Sequence, residues 1–89
     1  MNIAAIMTDA LPDLNEGLDG IRFNLKPECE EEWNEGYAIV QGLYYDNWDQ
    51  SEYFDDDRFK QDFEKKVKSY FHGCDVKFYW RSQEIEVSR

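Results

Sequence analysis

Residues 55–81 read DDDRFKQDFEKKVKSYFHGCDVKFYWR, and within this stretch the apolar period changes once. From Phe59 the large side chains recur at Phe63, Val67 and Tyr70 or Phe71, the spacing of one stripe on an α-helix. From Val76 they recur at Phe78 and Trp80, the alternation of a strand with one buried face. Charge brackets the helix. Asp55, Asp56 and Asp57 stand at its start and Lys65, Lys66, Lys68 and His72 toward its end, so both ends complement the macrodipole. Glu64 with Lys68 and Asp62 with Lys66 lie one turn apart, each pair adding about 0.2–0.5 kcal/mol. Gly73 is expected just beyond the last turn, as the left-handed residue that ends the helix.

Working outward, Ile85 and Val87 resume the alternation after Ser82-Gln83-Glu84. This reads as a terminal hairpin in slight preference to one long bent strand, because Ser-Gln is not a strong two-residue turn signal. Upstream, residues 21–26 (IRFNLK) alternate without a fault and stop at Pro27, a half-buried strand. Residues 37–45 are rich in β-branched and aromatic types and form a second strand, whose Gly42 marks a bulge or a close backbone approach. These two strands are expected to pair antiparallel through the loop between them, while residues 46–54 show no period and link strand to helix. At the N-terminus, Ile3, Ile6, Met7 and Ala10 make one stripe of a short helix over residues 2–10. Pro12 is expected to kink that helix or to start a further turn through Leu14. No internal repeat is visible. The order α-β-β-α-β-β over 89 residues gives one α+β domain, 1–89, with a small antiparallel sheet and helices on one face.

The acids are not spread evenly over this plan. From Pro27 to Asp57 there are eleven carboxylates and no Lys or Arg: Glu28, Glu30, Glu31, Glu32, Glu35, Asp46, Asp49, Glu52, Asp55, Asp56 and Asp57. The net charge of the chain is −10, and this third accounts for all of it. Trp33, Tyr37, Tyr44, Tyr45, Trp48, Tyr53 and Phe54 are interleaved with the acids, whereas disordered acidic tails lack aromatics. Crowded like charges oppose compaction, and their separation from base forgoes the ion pairs of a mixed surface. That favours a working negative surface over a merely solubilising one.

Other uses of these residues fit less well. Residues 46–51 (DNWDQS) begin like a calcium loop but lack its Gly and terminal Glu, and Trp48 stands where a small ligand belongs. His72, Cys74 and Cys29 lack the paired spacing of a zinc site. No phosphate loop or dinucleotide motif occurs, one His leaves no catalytic triad, and nothing singles out a carboxylate pair across a cleft. The chain reads as non-enzymatic, with no cofactor. Lys77, Tyr79 and Arg81 mix base and aromatic as single-strand binders do, but three residues on a −10 chain read as a solvated sheet face, so direct nucleic-acid binding is not expected. No apolar run approaches the roughly 18 residues of a membrane span, and Met1 to Ala10 lack a basic leader segment. The expected location is the cytoplasm, with Cys29 and Cys74 as free thiols.

In size, acidity and want of a catalytic motif the chain resembles the small DNA-mimic inhibitors made by phages, including anti-CRISPR and anti-restriction proteins. The resemblance covers the whole chain in composition and organisation and transfers no residue roles. It implies an inhibitor that occupies the basic, nucleic-acid-binding surface of a protein or complex. The segregated acids themselves, Glu28, Glu30, Glu31, Glu32, Glu35, Asp46, Asp49, Glu52, Asp55, Asp56 and Asp57, are the expected contacts, with Trp48 as an anchor. The alternative is an acidic adaptor or immunity-type inhibitor of a basic partner unconnected with nucleic acid.

Overall fold

Alternation in the sequence becomes alternation in burial: Ile21 and Phe23 are buried where Arg22 and Asn24 face solvent. The computed structural model describes residues 2–18, 20–27, 36–44 and 56–89. Among them are α1 (Ile3–Asn15), β1 (Ile21–Leu25), β2 (Tyr37–Tyr44), α2 (Asp57–Ser69), β3 (Asp75–Tyr79) and β4 (Glu84–Ser88). The four strands form one antiparallel sheet in the order β1-β2-β4-β3. Both helices bury their stripes with one face of that sheet, in a core that includes Met7, Leu14, Phe23, Val40, Val67 and Ile85. This is the α+β order expected from the period changes, and β3 and β4 form the terminal hairpin.

Three local expectations are corrected. Helix α1 does not stop near Ala10; it runs through Pro12 to Asn15. Proline removes one helical hydrogen bond at a cost of about 3 kcal/mol. The added turn buries Leu14, which extends the stripe of Ile3, Met7 and Ala10, a gain of about 1.5–3 kcal/mol. It also delivers Asn15 to β1. Helix α2 ends at the cap residue Tyr70, three positions before Gly73. Gly73 (φ +81°) instead sits in a separate turn, closed by the Cys74 N–H donating to the Phe71 carbonyl, that feeds the chain into β3. Of the two candidates for the end of the stripe, Phe71 is buried and Tyr70 is exposed. Finally, the helical charge pairs give way to tertiary partners. Glu64 accepts from the Trp80 indole N–H at 2.8 Å, and Lys66 reaches Asp13 on α1.

Gly42 is a close approach. A Cβ there would lie 2.7 Å from Ile21 Cδ1 and 3.2 Å from Phe23 Cε1. Its N–H donates at 2.8 Å to the carbonyl of Gln83, which takes a left-handed conformation (φ +53°) at the end of the β3–β4 turn. That bond and the Lys26 N–H to the Ile39 carbonyl (2.9 Å) fix the direction of every strand's main-chain groups. By the register, Phe23 on β1 and Val76 and Phe78 on β3 turn theirs outward, to the sheet's two edges. The Asn15 carboxamide closes the β1 edge, accepting the Phe23 N–H at 2.7 Å and donating to its carbonyl at 3.0 Å.

The structure also contains a repeat that the sequence hides. Matching β1 to β3 and β2 to β4 leaves the strand order unchanged, and each pair of strands is preceded by a 13-residue helix. Gly20 and Gly73, 53 positions apart, precede β1 and β3 with φ of +79° and +81°. At the same spacing Leu14 matches Val67 and Phe23 matches Val76. The chain is two αββ units joined along β2 and β4, with different residues at equivalent places.

Candidate functional site

The acidic third is tied to the framework by β2. Strand β2 is internal, flanked by β1 and β4, and its eight residues span about 24 Å at ~3.4 Å per residue. One acidic segment, 28–35, joins Pro27 to Gly36 at the end where the Arg89 N–H donates to the Gly36 carbonyl. The other, 45–55, runs from Tyr44 at the opposite end to Asp56. The first turn of α2 stands at that same end, with the Phe59 ring 6.4 Å from Trp80.

Glu28, Glu30, Glu31, Glu32, Glu35, Asp46, Trp48, Asp49, Glu52 and Asp55 lie outside the described residues. Asp56 and Asp57 lie within them, at the start of α2. Asp56 is the N-cap, its carboxylate accepting from the N–H groups of Arg58 (3.0 Å) and Phe59 (3.2 Å). Asp57 is exposed in the first turn. Asp56 is thus committed to the helix as well as to the charge of the surface.

The described residues carry ten acids and all ten bases, which sum to zero. The whole −10 belongs to Asp19 and to the two segments attached at the ends of β2. On the outer face of the sheet Leu43 and Tyr79 are exposed, 55% and 43% respectively. Cys74 is a free, half-buried thiol, and Cys29 lies outside the described residues. Among the described residues no three His, Cys, Asp or Glu stand together as a metal site, and no helix is long and apolar enough to cross a membrane.

Periodicity gave no sign of a polar knot joining the ends of the two helices. Lys66 Nζ donates to the Asp13 carbonyl at 2.6 Å and lies 3.5 Å from its carboxylate, which also accepts from the Tyr70 hydroxyl. The Tyr70 hydrogen bond holds the Asp13 carboxyl below its ordinary value of 3.8, Lys66 adding to the effect and desolvation opposing it. The same bond raises the Tyr70 phenol above its ordinary 10.0. The stabilisation from Asp13 is present above about pH 4 and is lost as pH falls through its lowered folded value. That from Tyr70 is present below about pH 10 and is lost as pH rises through its raised folded value. Tyr70→Phe should therefore move the Asp13 carboxyl titration upward when it is followed by NMR. An unchanged titration would show that the hydroxyl does not hold it.

Beside this knot a groove of about 280 Å³ is lined by Leu14, Leu18, Phe59 and Phe63, with Asp62 and Lys66. Its described lining offers no hydroxyl, thiol or imidazole to act as a nucleophile. No family model, curated protein or solved structure matches the chain.

Proposed function

We propose that the protein is a non-enzymatic inhibitor that occupies the basic, nucleic-acid-binding surface of a partner protein or complex. The observation that carries this reading is the segregation of charge, with nine carboxylates and no Lys or Arg on the two segments joined to the ends of one internal strand. Duplex DNA presents one charge per ~1.7 Å, so 24 Å of duplex carries about 14 charges. Nine carboxylates on the two segments joined to the ends of that strand are of the same order. Trp48, together with Glu28, Glu30, Glu31, Glu32, Glu35, Asp46, Asp49, Glu52, Asp55, Asp56 and Asp57, supplies the contact residues of this reading, with no cofactor.

The test is capture of partners from host lysate at low and high salt, repeated with Glu30, Glu31 and Glu32 all changed to Gln. Nucleic-acid-handling proteins released by salt are expected. The triple variant should fold, melt slightly higher through relieved repulsion, and bind more slowly, because peripheral charges act chiefly on association. Unchanged association of a folded triple variant at low salt would sink the proposal. Exposure of Leu43 and Tyr79 favours the second reading, an adaptor or immunity-type inhibitor of another basic partner. Salt-resistant capture of a protein that handles no nucleic acid would select it.

A further inference from the structure

The two edges of the sheet are finished differently. On β1 the outward N–H and C=O of Phe23 are both taken by the Asn15 side chain. On β3 the equivalent groups belong to Val76, and with those of Phe78 they have no hydrogen-bond partner among the described residues. The residue equivalent to Asn15, 53 positions on, is Lys68. An ammonium group cannot accept the Val76 N–H, and Lys68 Nζ instead lies over the Phe78 ring at 5.9 Å. The second αββ unit thus lacks the plug of the first.

Cations gather at this open edge. On the inner face Lys60 lies over the Trp80 ring at 6.0 Å, and Phe78 and Trp80 stack on each other with centroids 5.7 Å apart. On the outer face the Lys77 side chain is 57% exposed, with Asp75 at 3.8 Å, and Arg81 is exposed at the turn. From Arg58 to Arg81 there are seven bases and three acids, in a chain whose net charge is −10.

We propose that β3 is a docking edge that takes an extended acidic segment of a partner protein as a fifth strand. Strand addition draws its affinity from main-chain hydrogen bonds and its specificity from alternate side chains. Val76 and Phe78 supply the main-chain groups. Carboxylates on one face of the incoming strand meet Lys60 and Lys68, and those on the other meet Lys77. An edge lysine discourages apolar and basic strands, so the same residue that protects the edge selects the partner. None of these residues belongs to an acidic segment, and the net charge of residues 58–81 is opposite in sign to theirs.

The experiment uses the full chain and a blocked octapeptide of alternating Glu and Val, with amide hydrogen exchange as the readout. In the free protein the Val76 and Phe78 amides should exchange faster than those of Lys77 and Tyr79, which face β4. The peptide should slow both by about tenfold or more, since each gains a main-chain acceptor. An octapeptide of alternating Glu and Pro, equal in charge but unable to pair, should leave them unchanged. Lys68→Asn, on an exposed helix position, should restore the plug, slowing Val76 without peptide and abolishing the peptide's effect. Equal protection by the two peptides, or none by either, would overturn the proposal. So would protection that grows with protein concentration alone, which would give the edge to a second copy of the chain.

Discussion

Phe63→Ala is expected to lower the stability of this protein by about 3–5 kcal/mol, the range for deleting a buried aromatic ring. Phe63 is 5% exposed and joins the halves of the core. Its ring stacks on Phe23 of β1 at 5.3 Å and on Phe59 at 5.6 Å, and meets Trp80 beyond β3 edge-on at 6.0 Å. Removing it leaves a cavity between α2 and the sheet that backbone movement fills only in part. A domain of this size holds only about 5–15 kcal/mol in total, and each kcal/mol moves Tm by about 4–8 °C. The melting temperature should fall by at least about 12 °C. Phe59→Ala, at a half-buried ring, should cost less. A Phe63→Ala protein melting within a degree or two of the parent would show that α2 does not pack on the sheet as described.

Gly42→Ala should cost about 1–3 kcal/mol, the penalty of overfilling a packed core. The new methyl would approach Ile21 Cδ1 to 2.7 Å, Phe23 Cε1 to 3.2 Å and Gln83 Cβ to 3.3 Å. Ile21 and Phe23 are each 1% exposed, so neither has open space to move into. Ile21→Val deletes the atom that collides most closely. Combined with Gly42→Ala, it should give a protein more stable than the sum of the two single changes predicts. Strict additivity of the two in denaturant melts would refute the contact.

Much of the fold is legible because burial writes a period into the chain. The alternation of Ile21, Phe23 and Leu25, and the helical spacing of Phe59, Phe63 and Val67, each specify one buried face, and four such faces leave little choice of architecture. Pro12 misleads because a local rule prices the missing N–H and cannot see the pocket that receives Leu14. Gly73 is correctly marked as left-handed but assigned to the wrong turn, since Tyr70 and Phe71 close the helix with tighter bonds of their own. Asn15 carries no sequence signal at all. A helix-terminal asparagine is ordinary until Phe23 is placed beside it. The αββ repeat is hidden for a related reason: equivalent positions share burial and left-handed glycines while their side chains differ, as Asn15 and Lys68 do. For the candidate surface, segregation of charge and its division about β2 are visible in the sequence, whereas the internal place of β2 in the sheet needed the strand order.

The seam between β2 and β4 carries a consequence for assembly. Each αββ unit is continuous in sequence, and residues 45–55 form the only covalent tie between the two units. The hydrogen bonds of the seam are the same whether its strands belong to one chain or to two. What keeps the pairing within one molecule is the effective concentration that a covalent link of 11 residues gives one unit at the other. Shortening that link until it cannot span the units would leave the seam intact and exchange its partners, so that two chains would share each fold. Residues 45–55, which carry four of the segregated acids, therefore also set how many chains share one fold.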